Sequence, residues 1–305
     1  MFDLRSSPHH VQGEIETVIG SVLDPEALRA ALAGCEAVAH LAAAADVDQV
    51  KERPAEAEEL NARGTLNVLE AALASGVDRV LYASTIWVYG GSAAGDTVDE
   101  ETLLGAPDHL YTATKLGGEM YCRAYSNLYG LDCTILRFGI PYGPRARPAA
   151  VVPAFVSKAL AGEPLTVAGT GEQCRRFVYV EDLAKGVVAA LRPAAANRLY
   201  NLVGTEDVSI KRIAETVGEV VGDTRIVHTP ARAGDFRGVE VSAELARLEL
   251  GWRGSTPFAE GLRRYVDWQR SSITPPREEA PIADTAGTPR RLHCRSRPST
   301  SVTPG

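Results

Sequence analysis

Tyr111 and Lys115 stand four residues apart in Tyr-Thr-Ala-Thr-Lys. Positions i and i+4 share one face of a helix, so this phenol and ammonium can converge on a single point. A cation beside a phenol favours the phenolate and lowers the tyrosine from its ordinary value of about 10. That brings it toward the range of a general base near neutral pH. Upstream, an apolar run ends in the hydroxyls of Ser84 and Thr85. With a nicotinamide beside them, these side-chain types can take a proton and a hydride from an alcohol carbon. Tyr-x-x-x-Lys alone also describes ordinary helix-surface neighbours, so the surrounding elements decide its weight.

Those elements alternate. Apolar, β-branched runs give way repeatedly to helical patterns, which predicts an α/β fold with a mostly parallel sheet. The spacing predicts a short strand over 16–20, then a helix opened by Asp24-Pro25 and closed by Gly34. A buried strand is expected at 36–42, a long helix over 56–75 stopped by Gly76, and a strand at 79–83. The helix carrying Tyr111 and Lys115 runs to about Tyr129, where Gly130 ends it. A strand at 133–138 and a helix near 151–161 follow. Next come a strand at 176–180, a helix from Asp182, a strand at 199–203, a helix near 209–221 and a strand at 225–229. Helices near 242–249 and 256–270 close the series. There is no internal repeat.

Bulk composition narrows the function. The chain has 305 residues, 45% of them apolar and 23% charged, which suits a soluble protein with a full core. A net charge of −7 argues against general nucleic-acid binding and against a basic membrane face. No apolar run is long enough to span a bilayer, and Met1-Phe2-Asp3-Leu4-Arg5 lacks a signal-peptide core. Cys35, Cys122, Cys133, Cys174 and Cys294 are scattered, with no C-x-x-C or Cys/His cluster for zinc. Reduced thiols in a cytoplasm are the simplest reading. From Ser271 the composition shifts to Pro, Ser, Thr and Arg, so 271–305 is expected to be a disordered tail.

Several stretches together resemble one family, the extended short-chain dehydrogenase/reductases of the NAD-dependent epimerase/dehydratase group, from about Asp3 to Gln269. His40-Leu41-Ala42-Ala43 resembles the strand end beside the cofactor ribose. Asn61-x-x-Gly64-Thr65-x-Asn67 resembles the helix that backs the active site. Ser84-Thr85-Ile86-Trp87-Val88-Tyr89-Gly90 resembles the segment with the catalytic hydroxyl, and places Thr85 in that role. Leu136 to Arg145 resembles the loop into the substrate domain, with Ile140 where the family commonly has Asn. Gly169 to Asp182 and Arg232-Ala233-Gly234-Asp235 resemble substrate-phosphate segments, and Leu250-Gly251-Trp252 resembles part of the family's ending.

The resemblance implies a doubly wound, Rossmann-like parallel sheet with a smaller C-terminal substrate domain. Residues 1–145 would form the dinucleotide domain, with 174–192 returning to it, and 146–270 mainly the substrate domain. Thr85, Tyr111 and Lys115 would be catalytic. NAD would be held by Asp3, Ser21, Val22, Leu41, Ala42, Ala43, Tyr111 and Lys115. A nucleotide-sugar substrate would meet Ser84, Thr85, Arg175 and Arg232, because a guanidinium suits phosphate oxygens. A surface ion pair is the other reading of Arg175. The family also implies a homodimer through the helices at 56–75 and 111–129.

One part of the pattern is missing. A dinucleotide fold opens with a strand, a Gly-rich turn and a helix, and an acid after the second strand grips the ribose. Asp3 resembles that acid, and no G-x-x-G-x-x-G occurs in the chain. The expectation is therefore a domain truncated at its N-terminus by roughly 20 residues or more. The strand at 16–20 is then expected to be unpaired and the strand at 36–42 to be an open edge. A start assigned too far downstream and a real truncation both account for this.

The family's lyases carry extra acid–base groups just after the catalytic hydroxyl, where this chain has Ile86 and Trp87. What remains is alcohol–ketone interconversion. The resemblance implies a 4-epimerase of the UDP-glucose/galactose type, working through a transient 4-keto sugar. A ketoreductase or dehydrogenase of the same family, and a non-catalytic nucleotide-sugar-binding remnant, stay open as alternatives.

Overall fold

A computed structural model describes residues 1–6, 15–93, 95–222, 224–230 and 239–273. Two short strands, β1 (Phe2–Asp3) and β2 (Val18–Ile19), pair in parallel. Helix α1 (Pro25–Leu32) is capped by Asp24, whose carboxylate accepts from the N–H groups of Glu26 and Ala27 at 3.0 Å each. Such a cap contributes about 1 kcal/mol. Strand β3 (Ala37–His40) leads through a loop to α2 (Val47–Glu52) and α3 (Pro54–Glu58). A π-helical turn over Glu59–Arg63 then joins α3 to α4 (Gly64–Ala74). Strand β4 (Arg79–Thr85) ends in a 3₁₀ turn, Ile86–Tyr89, followed by β5 (Thr97–Val98). Helix α5 (Leu110–Tyr129) carries Tyr111 and Lys115, and Gly130 closes it in the left-handed region at φ 70°. Strands β6 (Asp132–Phe138) and β7 (Ile140–Tyr142) follow.

The second half contains α6 (Val151–Leu160), β8 (Leu165–Ala168), β9 (Cys174–Tyr179) and α7 (Val180–Ala189). Then come β10 (Leu199–Leu202), β11 (Asp207–Ser209), α8 (Ile210–Val221) and β12 (Ile226–Thr229). β13 (Glu240–Val241), α9 (Glu244–Leu250) and α10 (Phe258–Ile273) complete the described chain.

The main sheet is parallel, in the order β10-β6-β4-β3. Its central strand β4 is buried along nearly its whole length, as a parallel strand covered on both faces must be. Its side chains alternate. Val80 and Tyr82 pack with Leu28, Leu69 and Cys122, beneath α1, α4 and α5. Leu81 packs with Leu183, Leu202 and Leu250, beneath α7 and α9. Helices on both faces of a parallel sheet make the fold doubly wound. A separate apolar core joins Phe155, Val167, Phe177, Ile213, Phe258 and Leu262, from α6, β8, β9, α8 and α10.

Several expectations are revised. The strand at 16–20 is not unpaired, because β1 supplies backbone partners, and β3 is the terminal strand of the main sheet. The expected continuous helix over 56–75 is interrupted at 59–63, where the Gly64 N–H reaches the Glu59 carbonyl, five residues back. The strand that rejoins the main sheet is β10, whereas β9 pairs with β7 and β11 in a smaller sheet. Leu41 and Ala42 lie beyond the end of β3. α10 runs through Ser271 to Ile273, and the remainder of the expected tail, 274–305, lies outside the described residues.

Candidate active site

Thr85 ends β4, and its hydroxyl accepts from the Trp87 N–H at 3.2 Å, which caps the 3₁₀ turn. The Tyr111 phenol lies near enough to the same hydroxyl for Thr85 to favour its ionised form. Helix α5 can lie this close because Gly118 has no side chain. A Cβ there would sit 2.1 Å from the Tyr82 phenol oxygen. Through that gap Tyr82 donates to the Lys115 carbonyl at 3.2 Å, tying helix to strand. The first turn of α5 is thus fixed against the carboxyl end of β4.

The electrostatics differ from the expectation. Burial raises the Tyr111 pKa, and the Thr85 hydroxyl and the Arg147 charge work against that rise. Lys115 does not point its charge at the phenol. Its Nζ donates to the Ala83 carbonyl at 2.7 Å and lies 4.9 Å from the Tyr82 ring centroid. Burial lowers Lys115 to about 8, while the nearby Cys122 and Glu119 groups favour its charged form. The cation that eases Tyr111 ionisation is Arg147, itself paired with Asp46 at 3.4 Å.

Asn61, in the π-helical turn, braces this region. Its side-chain carbonyl accepts from the Ala44 N–H at 2.7 Å. Its amide donates to the Ala44 carbonyl and to Thr114 Oγ1, both at 3.0 Å. Loop 41–46 and the first turn of α5 are therefore joined through one side chain. Nearby, Thr65 donates to the Asn61 backbone carbonyl at 2.6 Å and lies 3.0 Å from His40 Nε2. With its proton so used, Thr65 is the acceptor, and His40 carries its proton on Nε2. Burial, aided by Lys115, lowers His40 to about 3 and keeps the ring neutral.

The other expected residues fall into groups. Leu41 is 57% exposed and Ala42 is also exposed, just beyond the carboxyl end of β3. In open parallel sheets ligands bind beyond these ends. The loop that follows, at Ala44, is joined to the first turn of the Tyr111 helix through Asn61. Ser21 accepts from the Leu23 N–H at 3.1 Å, and Val22 is buried with its carbonyl held by Asn67 at 3.0 Å. Asp3 is exposed and caps the Arg5 N–H at 3.1 Å. The Ser84 hydroxyl is buried and donates to Glu119 at 2.5 Å. Arg175 is half-buried on β9, with one N–H on the Cys174 carbonyl at 2.8 Å. Arg232 lies outside the described residues.

Two residues near this site were not anticipated. Arg147 follows the quoted loop by two positions. Glu119 continues the four-residue spacing of Tyr111 and Lys115, a signal that was readable.

A doubly wound sheet with Thr85 and a Tyr-x-x-x-Lys helix at its carboxyl edge is compatible with a nicotinamide-dependent enzyme. The sequence model of the NAD dependent epimerase/dehydratase family matches residues 3–203, and the chain belongs to that family. It is 32% identical over 238 residues to a UDP-glucuronate 4-epimerase of Thermodesulfobacterium geofontis, covering 78% of this chain and 73% of that one. It is 34% identical over 271 residues to a UDP-N-acetyl-alpha-D-glucosaminuronate decarboxylase of Bacillus cytotoxicus, covering 85% and 84%. Among solved structures, the UDP-glucose 4-epimerase of Thermotoga maritima with UDP-glucose superposes with a TM-score of 0.84 at 28% identity, covering 90% and 91%.

Proposed function

We propose that this chain is an NAD-dependent nucleotide-sugar 4-epimerase of the UDP-glucose/galactose type. The observation that supports the reading is that Thr85 lies near enough to Tyr111 to favour its ionisation, with apolar groups next along the chain from Thr85. Ile86 is buried and Trp87 lies against His109, with ring centroids 5.7 Å apart. Neither side chain supplies the additional acid or base that elimination requires.

NAD, when bound, accepts hydride from the sugar's alcohol carbon and can return it to either face of the ketone. Tyr111 takes the hydroxyl proton as a general base and gives it back on reduction. Thr85 hydrogen-bonds the same oxygen. Lys115 would hold the cofactor ribose, and Leu41 to Ala43 would lie along the cofactor. The core built from α6, α8 and α10 forms the substrate domain in this reading, with Arg175 and Arg232 on the diphosphate.

A second reading concerns the sugar. Arg147 places positive charge close enough to act on Tyr111, and its one described ion-pair partner, Asp46, is exchangeable at the surface. A 6-carboxylate on the sugar is a suitable replacement partner, so a hexuronate is the competing substrate.

Incubation with NAD and UDP-glucose deuterated at C4 tests the reaction. Epimerisation yields UDP-galactose with the label retained and no net cofactor consumption. A ketoreductase needs stoichiometric reduced cofactor, and an elimination releases water. The same assay with UDP-glucuronate decides between the two sugars.

A further inference from the structure

Glu119 and Arg137 form an ion pair that the proposed chemistry does not use. Glu119 is 0% and Arg137 3% exposed. The guanidinium grips the carboxylate with two N–H groups, Nε to Oε1 at 2.9 Å and Nη2 to Oε2 at 2.7 Å. Ser84 donates to Oε1 at 2.5 Å. The remaining Arg137 nitrogen donates to the Tyr89 phenol at 2.8 Å, and Tyr89 donates to Asn201 Oδ1 at 2.9 Å. Asn201 in turn donates to the Ser242 carbonyl at 2.9 Å, and its backbone N–H meets Glu100 at 2.7 Å.

The placement of these groups is ordered. Ser84, Arg137 and Asn201 stand in register across three neighbouring parallel strands, β4, β6 and β10. Glu119 lies on α5 one step of four beyond Lys115, which is itself one step beyond Tyr111. Ser84 precedes Thr85, and Tyr89 closes the 3₁₀ turn that Thr85 caps. The network therefore holds both sides of the Thr85–Tyr111 contact, the strand end and the helix.

Burying two charges is a poor way to stabilise a core. Apolar residues of the same volume are often equal or better, while a half-satisfied pair is costly. Here every arm of the carboxylate and guanidinium described above is satisfied, which makes a directional, rigid brace. Glu119 also faces Lys115 with opposite charge, favouring the ammonium at the Ala83 carbonyl.

We propose that the Glu119–Arg137 pair, with Ser84, Tyr89 and Asn201, is a positioning unit that holds Thr85 and Lys115 in register with Tyr111. The inference rests on the reading of Thr85, Tyr111 and Lys115 as the catalytic group. Glu119 and Arg137 act through those residues and do not touch the substrate.

The test uses the full chain carrying Glu119→Gln and, separately, Ser84→Ala, with NAD and UDP-glucose. Glu119→Gln keeps the shape but removes the charge, and should lower kcat about 10–100-fold with KM within about twofold, since small misplacements of catalytic groups cost that much. Ser84→Ala, which leaves the ion pair intact, should lower kcat about threefold to tenfold. Amide hydrogen exchange should rise over 84–89 in both variants and stay unchanged in α10. A folded Glu119→Gln with unchanged kcat and unchanged exchange over 84–89 overturns the proposal. So does a loss of activity that only tracks the unfolded fraction. If Glu119→Gln does not fold, Ser84→Ala decides by the same criteria. If the native chain turns over no nucleotide sugar, the epimerase reading fails and exchange over 84–89 alone decides the positioning role.

Discussion

The Lys115 ammonium donates to the Ala83 carbonyl, 2.7 Å away and 32 residues earlier in the chain, rather than to its helical neighbour Tyr111. This contact makes the lysine part of the end of β4. The charge easing ionisation of the half-buried Tyr111 comes from Arg147, on the loop after β7.

Removal of the phenol hydroxyl should abolish proton transfer and little else. Tyr111→Phe is expected to lower kcat by about 10²–10⁴-fold, the range for a general base. Nucleotide-sugar affinity by calorimetry should stay within a few fold. Thr85→Val should lose less, because its hydroxyl supports the transfer without accepting the proton. A Tyr111→Phe enzyme with near-native turnover would remove the base from the mechanism.

Lys115 carries a pH-dependent cost. Its pKa falls from 10.5 to about 8 by burial, which corresponds to roughly 3 kcal/mol. The folded-state value is depressed, so the cost is full below pH 8 and fades as pH rises toward 10.5, where the unfolded chain also releases its proton. Lys115→Met should therefore be inactive yet more stable than the native chain at pH 7. Allowing for the lost bond to Ala83, the gain is about 1–2 kcal/mol. Urea melts at several pH values should show the advantage shrinking above about pH 8. A variant less stable at pH 7, or an advantage independent of pH, contradicts the assignment.

Gly118 sets the distance between α5 and β4. In Gly118→Ala the new methyl would meet the Tyr82 phenol at 2.1 Å, so the helix must move or the Tyr82–Lys115 bond must break. The expected loss is about 1–3 kcal/mol of stability, with a fall in kcat. The double variant with Tyr82→Leu should recover part of the stability, because it removes both the oxygen at 2.1 Å and the ring carbon at 2.4 Å. No recovery in thermal melts would locate the strain elsewhere.

Substrate contacts separate by the chemistry of the ligand. Arg175→Ala is expected to raise the KM for any nucleotide sugar, in keeping with losing a charge-assisted phosphate contact of about 1.5–3 kcal/mol. Arg147→Met should raise the KM for UDP-glucuronate far more than that for UDP-glucose if the hexuronate reading holds. Equal effects on both sugars would reject that reading.

Local rules carried far in this chain. Asp24-Pro25 and Gly130 marked helix ends because caps and left-handed glycines depend on nearest neighbours. Tyr111 and Lys115 were legible because an i, i+4 spacing survives any tertiary context. The direction of the Lys115 side chain was not legible, since it depends on the Ala83 carbonyl and the Tyr82 ring. The Ser84–Glu119 bond was not legible either, because the two residues lie on different elements 35 positions apart. The pairing of Phe2–Asp3 with Val18–Ile19 depends on backbone groups that side-chain patterns do not report.

The π-helical turn at Glu59–Arg63 adds one residue to a helix whose flanks keep their inward faces, with Ala57 before it and Val68 after it both buried. An alignment against a relative with a regular helix there would show a one-residue gap. Loss of that residue would leave the helical content nearly unchanged and the core intact. It would, however, turn the Asn61 amide away from Ala44 and Thr114, uncoupling loop 41–46 from the first turn of α5 while the protein still folded. Length at 59–63, more than composition, is thus what joins those two parts of the site.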